Sequence, residues 1–222
     1  DRCFYAIAAW QKREALRRAP HKKAPRLSPA GARKTASKLL AAAGAKLTER
    51  EAKAILAAYG VPVTGERLVT DARAAIKAAE ELGFPVALKV ESPDIAHKTE
   101  AGVVRLSVTD AAGVRVAYDE VMVAAGRVSP KPEVRGVLVQ PMIPAGVELV
   151  VGARLDPQFG PLVVVGLGGI LVELLRDTAV GLAPVDVAEA KAMLGRLKGQ
   201  ALLTGFRGSP PVDLDRVAAI VA

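Results

Sequence analysis

The sequence has little cysteine and few aromatic residues, and both shortages limit what the protein can be. Cys3 is the single cysteine among 222 residues, which excludes an internal disulfide framework and a cysteine-rich metal site. Only 4% of the residues are aromatic although 51% are hydrophobic, so the apolar set is mainly Ala, Val and Leu. This composition is typical of an α/β or α+β enzyme core, and the cysteine content favours a reducing, cytoplasmic setting.

Long apolar runs are also missing. No stretch reaches the ~18 uninterrupted apolar residues that indicate a transmembrane helix. The first residues lack the successive basic, apolar and small-residue regions of a signal peptide. We therefore expect no membrane partner. The sequence also starts without methionine, which leads us to expect a piece of a longer polypeptide.

Acidic residues are scarce at the start of the chain. Residues 1–46 hold 12 of the 31 Lys and Arg residues but 2 of the 23 Asp and Glu residues, a net charge of +10. The remaining residues hold 19 and 21, a net charge of −2. A basic tail can bind nucleic acid or membranes. Three prolines favour a solvated linker over residues 19–46 instead, with Ala-rich helical character from about residue 32 to 43, so we expect no nucleic-acid partner.

The chain from Leu47 onward has the pattern of a folded domain. Thr48 and Glu51 have capping-box spacing at the start of a helix. Short turns join the predicted strands, which implies antiparallel sheets. Periodicity and capping residues predict helices over 48–59, 71–82, 109–125 and 186–197 and from 213, and strands over 63–69, from 86, and over 103–108, 134–142, 147–154, 161–166, 170–175 and 178–183.

Two side chains between Val86 and Arg105 are candidates for phosphate chemistry. Lys89 interrupts an apolar strand, and a buried ammonium group needs an anionic partner, such as a nucleotide phosphate. Alternatively, Lys89 lies on an edge strand and its ammonium group reaches solvent. His97, in the polar loop that follows, could carry a phosphoryl group. It could equally be an exposed histidine without a role, and its neighbours Lys98 and Glu100 favour a functional loop.

The glycines at 166, 168 and 169 suggest a phosphate-binding turn, but they fail the dinucleotide pattern because residue 171 is Leu. A tight turn between two strands explains them, and its amides could still bind an anion. Glu148, Glu173 and Asp177 lie in or beside apolar strands. Each would bind magnesium or a ribose hydroxyl if it pointed into a cleft. Strand alternation favours an outward position for each one.

Seven segments, from Leu47 to near the end of the chain, resemble the ATP-grasp domain of NDP-forming acyl-CoA synthetases. This family includes the ADP-forming acetate–CoA ligases and is related to succinyl-CoA synthetase. The segments occur in this order: LTEREAKAILAAYGVPVT, GFPVALKV, SPDIAHKTEAG, VLVQPMIPAGVELVVGA, DPQFGPLVVVGLGGILVELLRD, APVD and LLTGFRG.

The resemblance implies an α+β, ATP-grasp fold, in which two subdomains with antiparallel sheets hold ATP or ADP with Mg²⁺. Residues 47–222 would form this domain, with about 63–130 as a lid. Residues 1–18 resemble the last helix of a preceding CoA-ligase domain. That upstream half of the same chain would bind acyl-CoA and the carboxylic acid and carry the principal phosphohistidine.

The resemblance also implies roles for individual residues. Lys89 matches the lysine that contacts ATP phosphates, and His97 matches a histidine that relays the phosphoryl group. Glu148 matches a carboxylate near the ribose and phosphates. The hinge that holds adenine, largely through backbone groups, matches Gln140, Pro141, Met142 and Ile143.

Two departures from the family pattern are visible. A second glycine usually follows Gly102, but here Val103 does, and a valine at positive φ would be strained. The motif with the main magnesium ligands is expected beyond Ala222, so we predict that this chain is inactive alone. A second interpretation is a non-catalytic, ATP-grasp-like regulatory domain of a protein lysine acetyltransferase.

Overall fold

A computed structural model describes residues 3–4, 7–8, 10–11, 28–169 and 177–222, and the chain divides into two compact units. One unit spans Ser28–Gly146, and the other contains Val147–Ala222. The described residues before Ser28 are helical, in agreement with the helix predicted there. Among the described helices, none combines the length and the apolar character needed to cross a membrane.

Two helices open the Ser28–Gly146 unit. Helix α1 spans Ala32–Ala42 and packs against helix α2, which spans Glu49–Ala58. The predicted capping box is present: the Thr48 hydroxyl accepts the Glu51 amide, and the Glu51 carboxylate accepts the Thr48 amide at 2.8 Å. Helix α1 lies within the predicted linker 19–46 and buries two of its alanines, so that part of the segment is packed structure.

A four-stranded antiparallel sheet forms the centre of this unit. Its strand order is β1-β4-β2-β3. The strands are β1 (Arg67–Val69), β2 (Val86–Glu91), β3 (Val104–Val108) and β4 (Gly136–Pro141). The predicted antiparallel pairing of β2 and β3 is confirmed, with Lys89 opposite Val104. The sheet continues past the predicted lid range of 63–130 because β4 pairs with both β1 and β2.

Helices α3 (Ala72–Leu82) and α4 (Ala111–Gly126) cover one face of this sheet. Their N-caps are Asp71 and Asp110, whose carboxylates accept the amides three residues on at 2.8 and 2.7 Å. Alternate sheet residues pack with these helices in a buried apolar core: Val86, Leu88, Val90, Val137 and Val139. Because strand side chains alternate between faces, Lys89 lies on the opposite face of β2.

The Val147–Ala222 unit contains a three-stranded antiparallel sheet in the order β5-β6-β7. The predicted N-caps Asp186 and Asp213 are confirmed by their hydrogen bonds to backbone amides. The predicted strand 170–175 lies outside the described residues. The elements are β5 (Leu149–Asp156), β6 (Gly160–Leu167), β7 (Thr178–Leu182), α5 (Val187–Gly195), α6 (Ala201–Thr204) and α7 (Leu214–Val221).

Candidate functional site

Lys89 lies in the middle of β2, on the sheet face that does not pack against α3 and α4. Its side chain is 24% exposed, and its Nζ donates a hydrogen bond of 3.2 Å to Glu49 Oε1. The sequence predicted that a lysine in an apolar strand must have an anionic partner, and the structure supplies one from the first turn of α2. The ammonium group is therefore held at the surface of the sheet rather than free in solvent.

Glu49 is the centre of a charged cluster on this face. The same oxygen, Oε1, also accepts hydrogen bonds from Lys53 Nζ at 2.8 Å and from Gln140 Nε2 at 3.1 Å. Glu66 Oε2 accepts from the same two donors, at 2.9 and 2.8 Å. Two carboxylates, two ammonium groups and one amide thus form a network, which we call the Glu49 cluster: Glu49, Lys53, Glu66, Lys89 and Gln140.

The cluster keeps the Glu49 carboxyl ionised. Burial by itself would raise its pKa, but the hydrogen bonds from Lys53 and Gln140 and the charges of Lys89 and Lys53 outweigh that effect. The pKa of Glu49 falls from its usual 4.5 to about 2. Burial likewise opposes the raised pKa of Lys53, whose ammonium form is favoured by hydrogen bonds to Glu49 and Glu66. Glu49 is therefore ionised and Lys53 is protonated at neutral pH.

The loop after β2 carries His97 and is fixed by its own hydrogen bonds. The His97 carbonyl accepts the Ala101 amide, and the Lys98 carbonyl accepts the Val103 amide, each at 3.1 Å. On the other side, the Asp94 carboxylate accepts the Glu133 amide at 2.8 Å. The His97 side chain itself is exposed. A rigid turn therefore presents an accessible imidazole.

Lys89 and His97 line the same cleft. This cleft has a volume of about 550 Å³ and lies entirely within the Ser28–Gly146 unit. Its lining combines Glu49 and Lys89 with the loop residues 96–100 and two side chains of β3, Val104 and Leu106. The structure thus brings together the two candidates that the sequence singled out in this stretch. Its walls carry two lysines and a histidine, which can donate hydrogen bonds to an anion, together with the carboxylates of Glu49 and Glu100.

Val103 does not strain the loop, contrary to the sequence-based expectation. Gly102 has φ of 69°, whereas Val103 is not among the non-glycine residues with positive φ. The Val103 side chain is fully buried in the core, and its carbonyl accepts the Val90 amide at 3.0 Å. One left-handed residue closes this turn, so the second position can take a β-branched side chain.

The predicted adenine hinge lies at the end of β4. Gln140 is buried, and its side chain belongs to the Glu49 cluster. Pro141 has no amide to donate, and the Met142 amide donates to the Pro85 carbonyl at 2.9 Å. Ile143 is 62% exposed. The side-chain amide of Gln140 thus donates to other side chains of the protein, and exposed Ile143 offers an apolar surface.

Glu148 lies in the other unit, next to the glycine-rich turn. Its carbonyl accepts the Gly168 amide at 2.7 Å. A Cβ at residue 168 would lie 2.9 Å from the carbonyl carbon and from the Cβ of Glu148, closer than real Cβ contacts allow. Gly168 is therefore required for the close approach of two backbone segments. The Glu148 side chain is exposed.

Asp177 has a structural partner rather than a position in an open cleft. It is 5% exposed, and its two carboxylate oxygens accept the amides of Lys198 and Gly199 at 2.9 and 2.8 Å. The third candidate carboxylate, Glu173, lies outside the described residues. Within the ranges that the structure describes, no group of three or more His, Cys, Asp and Glu side chains could hold a metal ion. Metal ligands beyond Ala222 stay a prediction.

Sequence reasoning missed Glu49, Lys53 and Glu66. The capping box placed Glu49 in the first turn of α2, and Lys53 follows it at i+4, a spacing that permits an ion pair on one helix face. That signal could have suggested the pair. No local pattern could have joined it to Lys89, which lies 40 residues away in sequence.

Comparison with known proteins places this geometry in a family. A family model described as an ATP-grasp domain matches residues 38–222. Subunit beta of the ADP-forming acetate–CoA ligase II of Pyrococcus furiosus is 38% identical over 184 residues, which cover 83% of this chain and 78% of that protein. The ADP-forming 4-hydroxybutyrate–CoA ligase of Nitrosopumilus maritimus is 39% identical over 79% of this chain, which spans 25% of its length.

A solved structure has a similar sequence identity to this chain. The dinucleotide-forming acetyl-coenzyme A synthetase 1 of Ca. Korarchaeum cryptofilum, in complex with coenzyme A and Ca-AMPCP, is 41% identical, with a TM-score of 0.78. The match covers 85% of this chain and 83% of that chain. A succinate–CoA ligase subunit beta from Herpetosiphon aurantiacus is 29% identical over 169 residues, which confirms the predicted relation to that enzyme.

These relatives are ligases, and they give no support to the alternative of a regulatory domain of a lysine acetyltransferase. The predicted fold class is confirmed, because the structure combines helices with antiparallel sheets and the family model spans most of the chain. The chain therefore belongs to the ATP-grasp domain family, in the group of the ADP-forming CoA ligases.

Proposed function

We propose that this chain is the nucleotide-binding half of an NDP-forming acyl-CoA synthetase. The reaction interconverts acyl-CoA, ADP and phosphate with the carboxylic acid, CoA and ATP. The observation that carries the proposal is the single cleft that Lys89 and the exposed His97 share. A phosphate-binding cation beside a histidine is the arrangement that a phosphoryl relay requires.

Lys89 acts on the nucleotide phosphates. Its ammonium group has three N–H donors, and Glu49 takes one of them, which leaves donors for phosphate oxygens. Residues 140–143 hold the adenine through the exposed Ile143 and through backbone groups other than the Met142 amide, which donates to Pro85. Glu148, which the resemblance places near the ribose and phosphates, is a further candidate for nucleotide binding. The Korarchaeum relative carries a nucleotide analogue with a divalent cation, which supports ADP and ATP as the ligands here.

His97 transfers the phosphoryl group. In the direction of ATP formation, an imidazole nitrogen of His97 attacks the phosphorus of a phosphohistidine on the partner half, and the partner's N–P bond breaks. A terminal phosphate oxygen of ADP then attacks that phosphorus, and the bond to His97 breaks as ATP forms. Lys89 stabilises the negative charge of the phosphates during this second step.

The partner is a CoA-binding half, upstream in the same polypeptide, that holds acyl-CoA and releases the carboxylic acid. Mg²⁺ would neutralise nucleotide phosphate charge, but the described residues contain no cluster that could hold a metal ion. A cytoplasmic location fits the single cysteine.

The test is ATP formation from acetyl-CoA, ADP and phosphate by the full polypeptide, with the CoA-binding half and the expected magnesium motif present. His97→Asn should lower the rate at least 100-fold, because the carrier between the partner's phosphohistidine and ADP is then missing. His21→Asn, which removes the other histidine of the sequence, should leave the rate unchanged. The 222-residue chain alone should form no ATP. Equal rates for wild type and His97→Asn would overturn the relay.

A further inference from the structure

We propose that Glu49 is a positioning residue, which orients the Lys89 ammonium group toward the phosphates of the bound nucleotide. This inference rests on the function proposed above. Lys89 Nζ lies 3.2 Å from Glu49 Oε1, and both side chains line the cleft that His97 also lines. Glu49 itself touches no substrate in this proposal. It acts through Lys89.

The position of Glu49 is rigid enough for such a role. It is the first residue of α2, and the capping box formed by Thr48 and Glu51 fixes that turn. Its Oε1 is held in place by two further donors, Lys53 at 2.8 Å and Gln140 at 3.1 Å. An acceptor with three donors from three segments of the chain cannot rotate away without breaking all of them.

Lys89 needs an orienting partner because its side chain is long. The backbone is fixed in an inner strand of the sheet, but four rotatable bonds separate it from the ammonium group, and ordering them costs conformational entropy. The hydrogen bond to Glu49 orders the side chain before the nucleotide arrives. Binding then loses less entropy, which is the benefit of preorganisation.

The charges of the cluster allow Glu49 to do this without competing for the cation. Lys53 bonds both Glu49 and Glu66, so Glu49 keeps a cationic partner when Lys89 engages phosphate. Lys89 can also keep its bond to Glu49, since one of three N–H donors suffices for it. If Glu49 only competed with phosphate for the ammonium group, its removal would strengthen nucleotide binding. Removal of Glu49 should therefore weaken nucleotide binding if Glu49 positions Lys89, and strengthen it if Glu49 competes with phosphate.

The test measures ADP and adenosine affinities by calorimetric titration of the 222-residue chain. Glu49→Ala should weaken ADP binding about 3- to 10-fold, the cost of ordering one long side chain at the moment of binding. Adenosine affinity should not change, because adenosine has no phosphate for Lys89 to contact. Glu49→Gln keeps an acceptor oxygen at the same place and should restore ADP affinity to within about 2-fold of wild type.

Glu133→Ala is the matched control. It removes a carboxylate of the same unit, together with its 3.0 Å ion pair to Arg135, but it contacts neither Lys89 nor the cleft. It should leave the ADP affinity unchanged. Stronger ADP binding by Glu49→Ala, or equal weakening of ADP and adenosine, would overturn the positioning role. A wild-type chain that fails to bind ADP would instead overturn the proposed function.

Discussion

The Arg50–Glu91 ion pair gives the most informative prediction about stability. Glu91, the last residue of β2, has a fully buried side chain, and within the described part of the chain neither carboxylate oxygen has a hydrogen-bond partner. Arg50 Nε lies 3.5 Å from Glu91 Oε1, which gives charge compensation without a hydrogen bond. Arg50→Met keeps most of the side-chain bulk but leaves a buried carboxylate without its cation.

The loss of stability expected from Arg50→Met lies between the values for buried and for exposed ion pairs. Removal of one partner of a fully buried ion pair costs about 3–5 kcal/mol. Exposed pairs contribute about 0–1 kcal/mol. The Arg50 side chain is 44% exposed, so water already screens part of this pair. We therefore expect Arg50→Met to lower the free energy of unfolding by about 2 kcal/mol.

Native-state hydrogen exchange of the Val90 amide measures how much Arg50→Met destabilises the Ser28–Gly146 unit, which contains both residues of the ion pair. Val90 is fully buried on the inner strand β2, and its amide donates to the Val103 carbonyl at 3.0 Å, so its exchange reports opening of the Ser28–Gly146 core. Adding Glu91→Gln to Arg50→Met should recover part of the loss, because the buried charge is then gone. Arg115→Met, at an exposed helix position, is the control and should cost less than about 0.5 kcal/mol. Equal effects of Arg50→Met and Arg115→Met would refute the reasoning.

Three further predictions concern stability. The pKa of Glu49 is about 2 in the folded chain and 4.5 when unfolded. The stability that its ionised carboxylate contributes is therefore complete above pH 4.5 and is lost as the pH falls toward 2. In urea titrations over that range, wild type should lose more stability than Glu49→Gln. Gly168→Ala should destabilise by about 1–3 kcal/mol, because its Cβ meets the Glu148 backbone, as thermal unfolding will show. Ser107→Gly should raise stability by about 0.5 kcal/mol in the same assay, because Ser107 has φ of 56°.

A specific result would contradict each of these three predictions. Parallel acid profiles for wild type and Glu49→Gln would show that Glu49 is not the titrating group. Gly152→Ala, where a Cβ would have nothing within 4 Å, should be neutral, and an equal loss at both glycines would remove the steric explanation. A lower stability of Ser107→Gly would mean that the serine side chain contributes more than its backbone conformation costs.

Local chemistry made much of the fold predictable from the sequence. The capping box of Thr48 and Glu51 and the aspartate caps at 71 and 110 start helices where they were predicted, because each cap depends on residues within three positions. The antiparallel pairing of β2 with β3 followed from their short separation. Strand β4 was also predicted, but its pairing with β1 and β2 was not, because pairing over long separations leaves no local pattern.

The candidate site was predictable only in part. The need of Lys89 for an anion follows from desolvation, but the identity of that anion, Glu49, depends on how α2 packs on the sheet. The concern about Val103 was wrong because the sequence alone did not show which residue takes the left-handed conformation. Asp177 was considered as a ligand, and its two amide partners at 198 and 199 became visible only in the structure.

The most direct test of the central claim is the ADP affinity of Lys89→Met, measured by calorimetric titration in the presence of Mg²⁺. A charge-assisted hydrogen bond contributes about 1.5–3 kcal/mol, so the variant should bind ADP roughly 10- to 100-fold more weakly than wild type. Lys77→Met removes an ammonium group whose side chain is 79% exposed, and it should bind ADP as wild type does. If Lys89→Met also binds ADP as tightly as wild type, the cleft of Lys89 and His97 is not the nucleotide phosphate site.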